Sequence, residues 1–367
     1  MMKIKKNRVL LCTSPLQIIG ARSAMDYSAE NGATYNDYLI ILHPLLKSTS
    51  SIAIINKLSN ELNFKKVFNL INDLENIQKY TKKSLFESLK GKIVDYESLL
   101  LYAKDFFSKE IGAVHCVLFR HAAKDIEHAF IEACGSNTLR YSIEDGVGDH
   151  MTAAYKKRMN LNRNIRSLGK FLLCCLIESR CTCKNVFLHK LRSHDEYFSN
   201  IPSTNKKSLK LFFLKNIKNV NYERKGVERK IVILGALFTK LNHKIDQELE
   251  VEKYNKLIEV IVERHQVPPK DIWYKHHPRL NKKSWEFKKN KLNCSVYDYS
   301  CDDLFEVEMA NANIKAVFSS GSTSLLYAKE VFNIKAYYVD NMYPPGSHGS
   351  NYLKYISQKY NIEVVGI

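Results

Sequence analysis

The chain has 367 residues, enough for two domains of ordinary size, and its 45% hydrophobic and 26% charged residues place it among globular proteins, not disordered or fibrous ones. The formal net charge of +18 is not ordinary and points to an anionic partner: nucleic acid, an acidic membrane surface or an anionic substrate. No apolar run approaches the roughly 18 residues a membrane span needs, and the basic start MMKIKKNRVLLC runs into a strand pattern, not a signal peptide, so a cytoplasmic location is expected.

Arg8–Cys12 (RVLLC) reads as a buried strand, broken by Thr13-Ser14-Pro15, with a helix from Leu16 to Glu30. Strands at Tyr38–Leu42 and Lys66–Leu70 flank a helix at Ser51–Leu62, and Asp73–Lys109 reads as mostly helical. Val114–Phe119 is a strand, Lys124–Cys134 a helix and Thr138–Ile143 another strand. This alternation predicts a parallel sheet with crossover helices, a first Rossmann-like domain over 1–205. The Lys- and Asn-rich stretch 206–228 reads as a linker. Alternation then resumes over 229–367: strand Ile231–Leu234, helix Gln247–His265 ended by Pro268-Pro269, strand Ile272–Lys275, strand Ser295–Tyr299, helix Asp302–Asn311, strand Ala316–Phe318, helix Ser322–Val331 and strand Ala336–Val339. The expected fold class is α/β, two Rossmann-like domains. The nine cysteines include no C-x-x-C pair and several lie in apolar runs, which suits a reducing compartment and disfavours structural zinc.

Three stretches carry the candidate chemistry, each placed at the end of a predicted strand, where the ligand crevice of an open α/β sheet lies. In Ser142–His150 (SIEDGVGDH), Glu144 and Asp145 sit side by side before Gly146; one of them can serve as a general base, since neighbouring like charges raise a carboxyl pKa. In Ile272–Arg279 (IWYKHHPR), Pro278 sets a turn after His276 and His277. Neighbouring strand residues face opposite ways, which separates the roles of the two histidines. In Val317–Ser324 (VFSSGSTS), Ser319, Ser320, Ser322 and Thr323 supply more hydroxyls than a helix cap uses, at a helix start suited to phosphate. Glu306, one helix upstream, is either a ribose contact or a plain surface glutamate. No G-x-x-x-x-G-K-[ST], G-x-G-x-x-G or D-x-D pattern is present. The lysines are spread over the whole chain instead of clustering with aromatics on one element, which disfavours a nucleic-acid-binding protein.

The order of Glu144-Asp145-Gly146, His277-Pro278 and Ser319-Ser320 resembles bacterial CMP-sialic acid-dependent sialyltransferases, the lipooligosaccharide sialyltransferases and capsular polysialyltransferases among them; the opening VLLCTSPLQII is similar to the first strand and loop of the lipooligosaccharide group. The resemblance implies a GT-B arrangement with CMP-sialic acid in the C-terminal half. It implies that His277 assists departure of the CMP phosphate, that Ser319 and Ser320 hold that phosphate with Pro278, Ser322 and Thr323 around it, and that Glu306 contacts the ribose. It further implies that Glu144 or Asp145 deprotonates the acceptor, with inversion; the missing D-x-D pattern and the hydroxyl-rich phosphate site add the expectation that neither metal nor cofactor takes part. The chain departs from the lipooligosaccharide group in Gly235–Asp246 (GALFTKLNHKID), which holds no acid before Asp246. The expected activity is transfer of sialic acid to a bacterial surface glycan (lipopolysaccharide, O-antigen or capsule) whose acceptor is lipid-linked at the anionic inner face of the cytoplasmic membrane. A polysialyltransferase extending a capsular polymer is the alternative.

Overall fold

The computed structural model describes residues 5–12, 14–42, 49–62, 64–70, 99–119, 125–143, 196–199, 207–220, 231–236, 247–277, 280–299, 304–342 and 355–367. Two compact units emerge: Met1–Leu45 with Ile55–Phe213, and Leu46–Ile54 with Leu214–Ile367.

The first unit is built on seven parallel strands: β1 (Lys6–Cys12), β2 (Tyr35–Ile41), β3 (Lys66–Asn69), β4 (Val114–Phe119), β5 (Leu139–Ile143), β6 (Glu196–Ser199) and β7 (Lys207–Ser208), in the order β3-β2-β1-β4-β5-β6-β7. The first six follow the 3-2-1-4-5-6 order of a doubly wound dinucleotide-type fold. Helix α1 (Pro15–Glu30) starts on a Pro at its first position, and the Gln17 side chain accepts the Ser14 backbone N–H at 3.2 Å, part of a capping box that fixes the helix start. Strands β1, β2 and β4 are near-continuous apolar runs because helices cover both faces of a parallel sheet. Val9, Leu11, Ile40 and Val117 pack there with Phe106, Phe107 and Phe130, whose rings meet 5.7–6.1 Å apart.

The second unit repeats the plan. Strands β8 (Ile231–Leu234), β9 (Ile272–Lys275), β10 (Ser295–Val296), β11 (Ala316–Ser319), β12 (Lys335–Val339) and β13 (Glu363–Val365) pair in parallel in the order β10-β9-β8-β11-β12-β13. Counted within the unit this is again 3-2-1-4-5-6. The helix after β8 spans Gln247–His265, the bounds its apolar period predicts, and it buries Val251, Tyr254, Leu257, Ile258 and Ile261 on the sheet. Both domains are therefore Rossmann-like.

One sequence expectation changes. Within the stretch read as a linker, 206–228, Lys207–Ser208 joins the first sheet as β7 and Lys210–Lys218 forms a helix. Leu209, Phe213 and Ile217 are fully buried there, an inward apolar face hidden among lysines. Among the described residues no helix is long and apolar enough to cross a membrane.

Candidate active site

In a 3-2-1-4-5-6 sheet the first and fourth strands leave in opposite directions, and the gap at their carboxyl ends is where ligands bind. In the second unit these strands are β8 and β11. Their register sets Leu234 beside Ser319 on one side and beside Lys275 on the other. One end of the sheet thus gathers three exits: Gly235-Ala236 after β8, His276-His277 after β9, and Ser319-Ser320 at the end of β11. Two of the three predicted motifs meet at this edge. The third follows β5, which ends at Ile143; Glu144 and Asp145 lie outside the described residues, as do Pro278 and Asp246.

The hydroxyls of the serine stretch are not equivalent. Ser319 Oγ donates to the Leu234 carbonyl at 3.1 Å and accepts the backbone N–H groups of Gly321 (3.2 Å) and Ser322 (3.1 Å). It ties the turn to β8 and has no hydrogen left for a ligand. Ser322 Oγ donates to Ser324 Oγ at 3.0 Å, and Ser324 Oγ donates to Glu306 Oε1 at 2.7 Å. The hydroxyls thus run in series from Ser322 through Ser324 to a carboxyl oxygen of Glu306. Ser320 Oγ is buried and has no partner. A buried orphan hydroxyl costs about 1–3 kcal/mol, and a phosphate oxygen would remove that cost. The helix expected from Ser322 begins at Ser324, because the preceding serines are engaged in the turn, and it opens into a π-helical turn over Tyr327–Val331.

Glu306 is no surface glutamate. It starts a short helix, Phe305–Asn311, and is 5% exposed. Burial pushes its carboxyl pKa up, against the Ser324 hydrogen bond and the charge of Lys275. Lys275 is itself buried, its ammonium 4.8 Å from the centre of the Tyr297 ring, and the Tyr297 hydroxyl donates to Glu308 at 2.6 Å. A fixed positive charge therefore stands at the strand end beside the histidines.

The two histidines differ in surroundings. His276 is buried and stacks on Tyr299 at 5.5 Å and 14°, with Nδ1 unpartnered. Burial, then Lys275, His277 and Lys288, lower its pKa to about 4, so it is neutral at pH 7. His277 is half-buried, and its carbonyl accepts the Leu280 N–H at 2.9 Å. The histidine with access is His277.

Behind the edge lies a polar network that reading the sequence missed. Lys288, 1% exposed, donates to Glu250 Oε1 at 2.5 Å and to the Tyr274 hydroxyl at 3.3 Å. The Ala236 N–H donates to Tyr254 Oη at 3.1 Å, and the Tyr254 and Tyr274 rings meet edge to face at 4.9 Å. A Cβ at Gly235 would overlap the Tyr274 hydroxyl, so only glycine lets β8 leave the sheet this close to β9. In KKSWEFKKNK, Lys288 looks like one more surface lysine; its three- and four-residue spacing from the buried Trp285 and Ser284 is the signal that marks it as inward-facing. Among the described residues no three His, Cys, Asp or Glu side chains group as metal ligands do.

The carboxyl edge of the second sheet thus sets an orphan hydroxyl and a histidine on opposite sides of a glycine exit. Solved structures with the same fold include the sialyltransferase of Photobacterium damsela (TM-score 0.51, 10% identity, 100% of this chain and 82% of that one), TcCGT1 in complex with UDP (TM-score 0.54, 10% identity, 99% and 86%) and the UDP-GlcNAc 2-epimerase of Methanocaldococcus jannaschii (TM-score 0.50, 12% identity, 99% and 89%). At such identities the likeness concerns the fold, which is GT-B. A search of curated proteins finds no match. The family model described as Alpha-2,8-polysialyltransferase (POLYST) matches residues 8–341. That match takes in all three motifs, and the chain belongs to the alpha-2,8-polysialyltransferase family, as a glycosyltransferase of the sialyltransferase kind.

Proposed function

We propose that the chain transfers sialic acid from CMP-sialic acid to a terminal sugar of a bacterial surface glycan (lipopolysaccharide, O-antigen or capsule), with inversion and without a metal. The observation that carries this reading is the pairing, across Gly235, of the half-buried His277 with the unpartnered Ser320 hydroxyl. The donor phosphate would take the Ser320 hydrogen bond, and His277 would face the oxygen that links phosphate to sugar. The acceptor oxygen attacks the anomeric carbon as that carbon–oxygen bond breaks. The acceptor proton passes to Glu144 or Asp145, and CMP leaves as a monoester whose growing charge His277 stabilises or protonates. The missing D-x-D pattern supports a cationic side chain in the place of a metal.

The acceptor would be lipid-linked, and the protein would sit on the anionic inner face of the cytoplasmic membrane, a reading supported by the +18 charge. The description of the matching family favours a second reading, repeated transfer that builds an α-2,8-linked polymer.

The test is a donor screen scoring nucleotide release from CMP-sialic acid, UDP-sugars and GDP-sugars in EDTA. Release from the CMP donor alone is expected. Release from a UDP- or GDP-sugar instead would end the donor assignment, and activity restored only by Mg²⁺ or Mn²⁺ would end the metal-free mechanism. Product length on a sialylated oligosaccharide separates single transfer from polymerisation.

A further inference from the structure

The segment 205–220, NKKSLKLFFLKNIKNV, contains five lysines and no acidic residue. Its helix, Lys210–Lys218, turns Phe213, Asn216 and Ile217 inward. At 100° per residue the opposite face carries Leu211, Lys215 and Lys218, all exposed, with Phe212 and Leu214 half-buried on its flanks. Leu211 is 78% exposed, more than any other large apolar side chain among the described residues. On the inner side, Tyr27 of α1 meets Phe212 edge to face at 5.9 Å, and its acidic neighbour Asp26 is paired with Arg22. The outer face therefore combines like charges three residues apart with an apolar side chain standing in water, an arrangement unfavourable in isolation.

We propose that this helix face docks on an anionic lipid bilayer, with Lys215 and Lys218 against the headgroup charge and Leu211 set into the acyl boundary. The complementarity is double. A negatively charged saccharide would answer the lysines but leave Leu211 in water, whereas an anionic bilayer answers both. The inference rests on the membrane-surface reading above and gives it a location on the chain.

The test uses the full chain, sedimented with phosphatidylcholine vesicles and with vesicles containing phosphatidylglycerol, alongside a soluble polysialic acid binding arm. Binding is expected only to the anionic vesicles and should weaken with salt. The double variant Lys215→Glu/Lys218→Glu should lower vesicle partitioning about 25-fold or more, since each lysine near such a surface is worth roughly fivefold. Leu211→Ser should lower it roughly tenfold, the worth of one buried leucine. Both variants should transfer sialic acid to a soluble acceptor at the wild-type rate, since none of the three residues belongs to the site. The proposal is overturned if the wild type ignores anionic vesicles, if the variants bind them as well as the wild type, or if the lysine variant loses only polysialic acid binding. Loss of vesicle binding with transfer intact leaves the sialyltransferase reading standing; absence of transfer with vesicle binding intact does the reverse.

Discussion

Ser319 and Ser320 are adjacent and chemically identical, yet the fold gives them different work. Ser319 spends its hydroxyl on one carbonyl and two N–H groups, so Ser319→Ala should cost about 1–3 kcal/mol of stability. Ser320→Ala should leave stability unchanged or improved and raise KM for the donor. Thermal unfolding set beside donor kinetics checks the split; equal losses of stability in both variants would contradict it. The histidines divide in the same way. His277→Ala should lower kcat by about 10²–10⁴ with a modest change in KM, because its interaction peaks in the transition state. A dead His276→Ala beside a near-normal His277→Ala would reverse the assignment. His276 instead writes itself into stability. Its folded pKa is depressed to about 4, while the unfolded chain takes up the proton near the ordinary value of 6.5. Between these values the unfolded state binds more protons, so this contribution is complete above pH 6.5 and lost as pH falls towards 4, by at most about 3 kcal/mol. The raised Glu306 carboxyl acts in the opposite sense, but equally in wild type and variant. The urea midpoint should therefore fall less steeply below pH 6.5 in His276→Phe than in the wild type. Parallel curves would show that His276 is not held neutral.

At the scale of elements, the strands were legible because a parallel sheet buried on both faces needs unbroken apolar runs such as RVLLC and IVIL. Gln247–His265 was legible to the residue because its apolar period is long and Pro268-Pro269 stops it. What escaped was polar burial. Glu250 and Lys288 stand among exposed Glu and Lys residues, and composition cannot tell an inward charge from an outward one until the partner helix is in place. The helix in 206–228 was masked in the same manner, its apolar spacing diluted by lysines. The Glu250–Lys288 pair now makes a prediction for its elements. Burial pushes the Glu250 carboxyl up and Lys288 holds it down, so removing either partner strands the other. Lys288→Met or Glu250→Leu alone should cost about 3–5 kcal/mol, and the double variant much less than the sum. Denaturant midpoints of the four proteins close this cycle; additive losses would mean the pair is not coupled. Because Lys288 also holds Tyr274 against Gly235, the single variants should weaken CMP binding even where they remain folded.

For the whole molecule, the order 3-2-1-4-5-6 recurs in both sheets, so the open edge at the carboxyl ends of β8 and β11 comes from topology and needs no dinucleotide fingerprint. The net charge of +18 belongs to this scale as well, since it acts beyond any one contact. A field of that sign raises the encounter rate with an anionic donor or acceptor, and salt screens it over a Debye length of about 10 Å at 0.1 M. Screening acts on encounter and not on the bond-breaking step, so raising ionic strength should lower kcat/KM for a sialylated acceptor while kcat holds steady. A neutral acceptor should show the smaller effect that comes from the donor alone. If each acceptor unit in reach adds one charge to the attraction, the salt slope should steepen as the sialylated acceptor lengthens, then level off once its length exceeds the basic surface. A single-transfer enzyme that touches only the terminal sugar should give the same slope for short and long acceptors. Measuring kcat/KM against salt for a graded series of oligosialic acids therefore reads the reach of the basic surface. Salt-independent kinetics throughout would mean that the charge serves the bilayer and not the substrates.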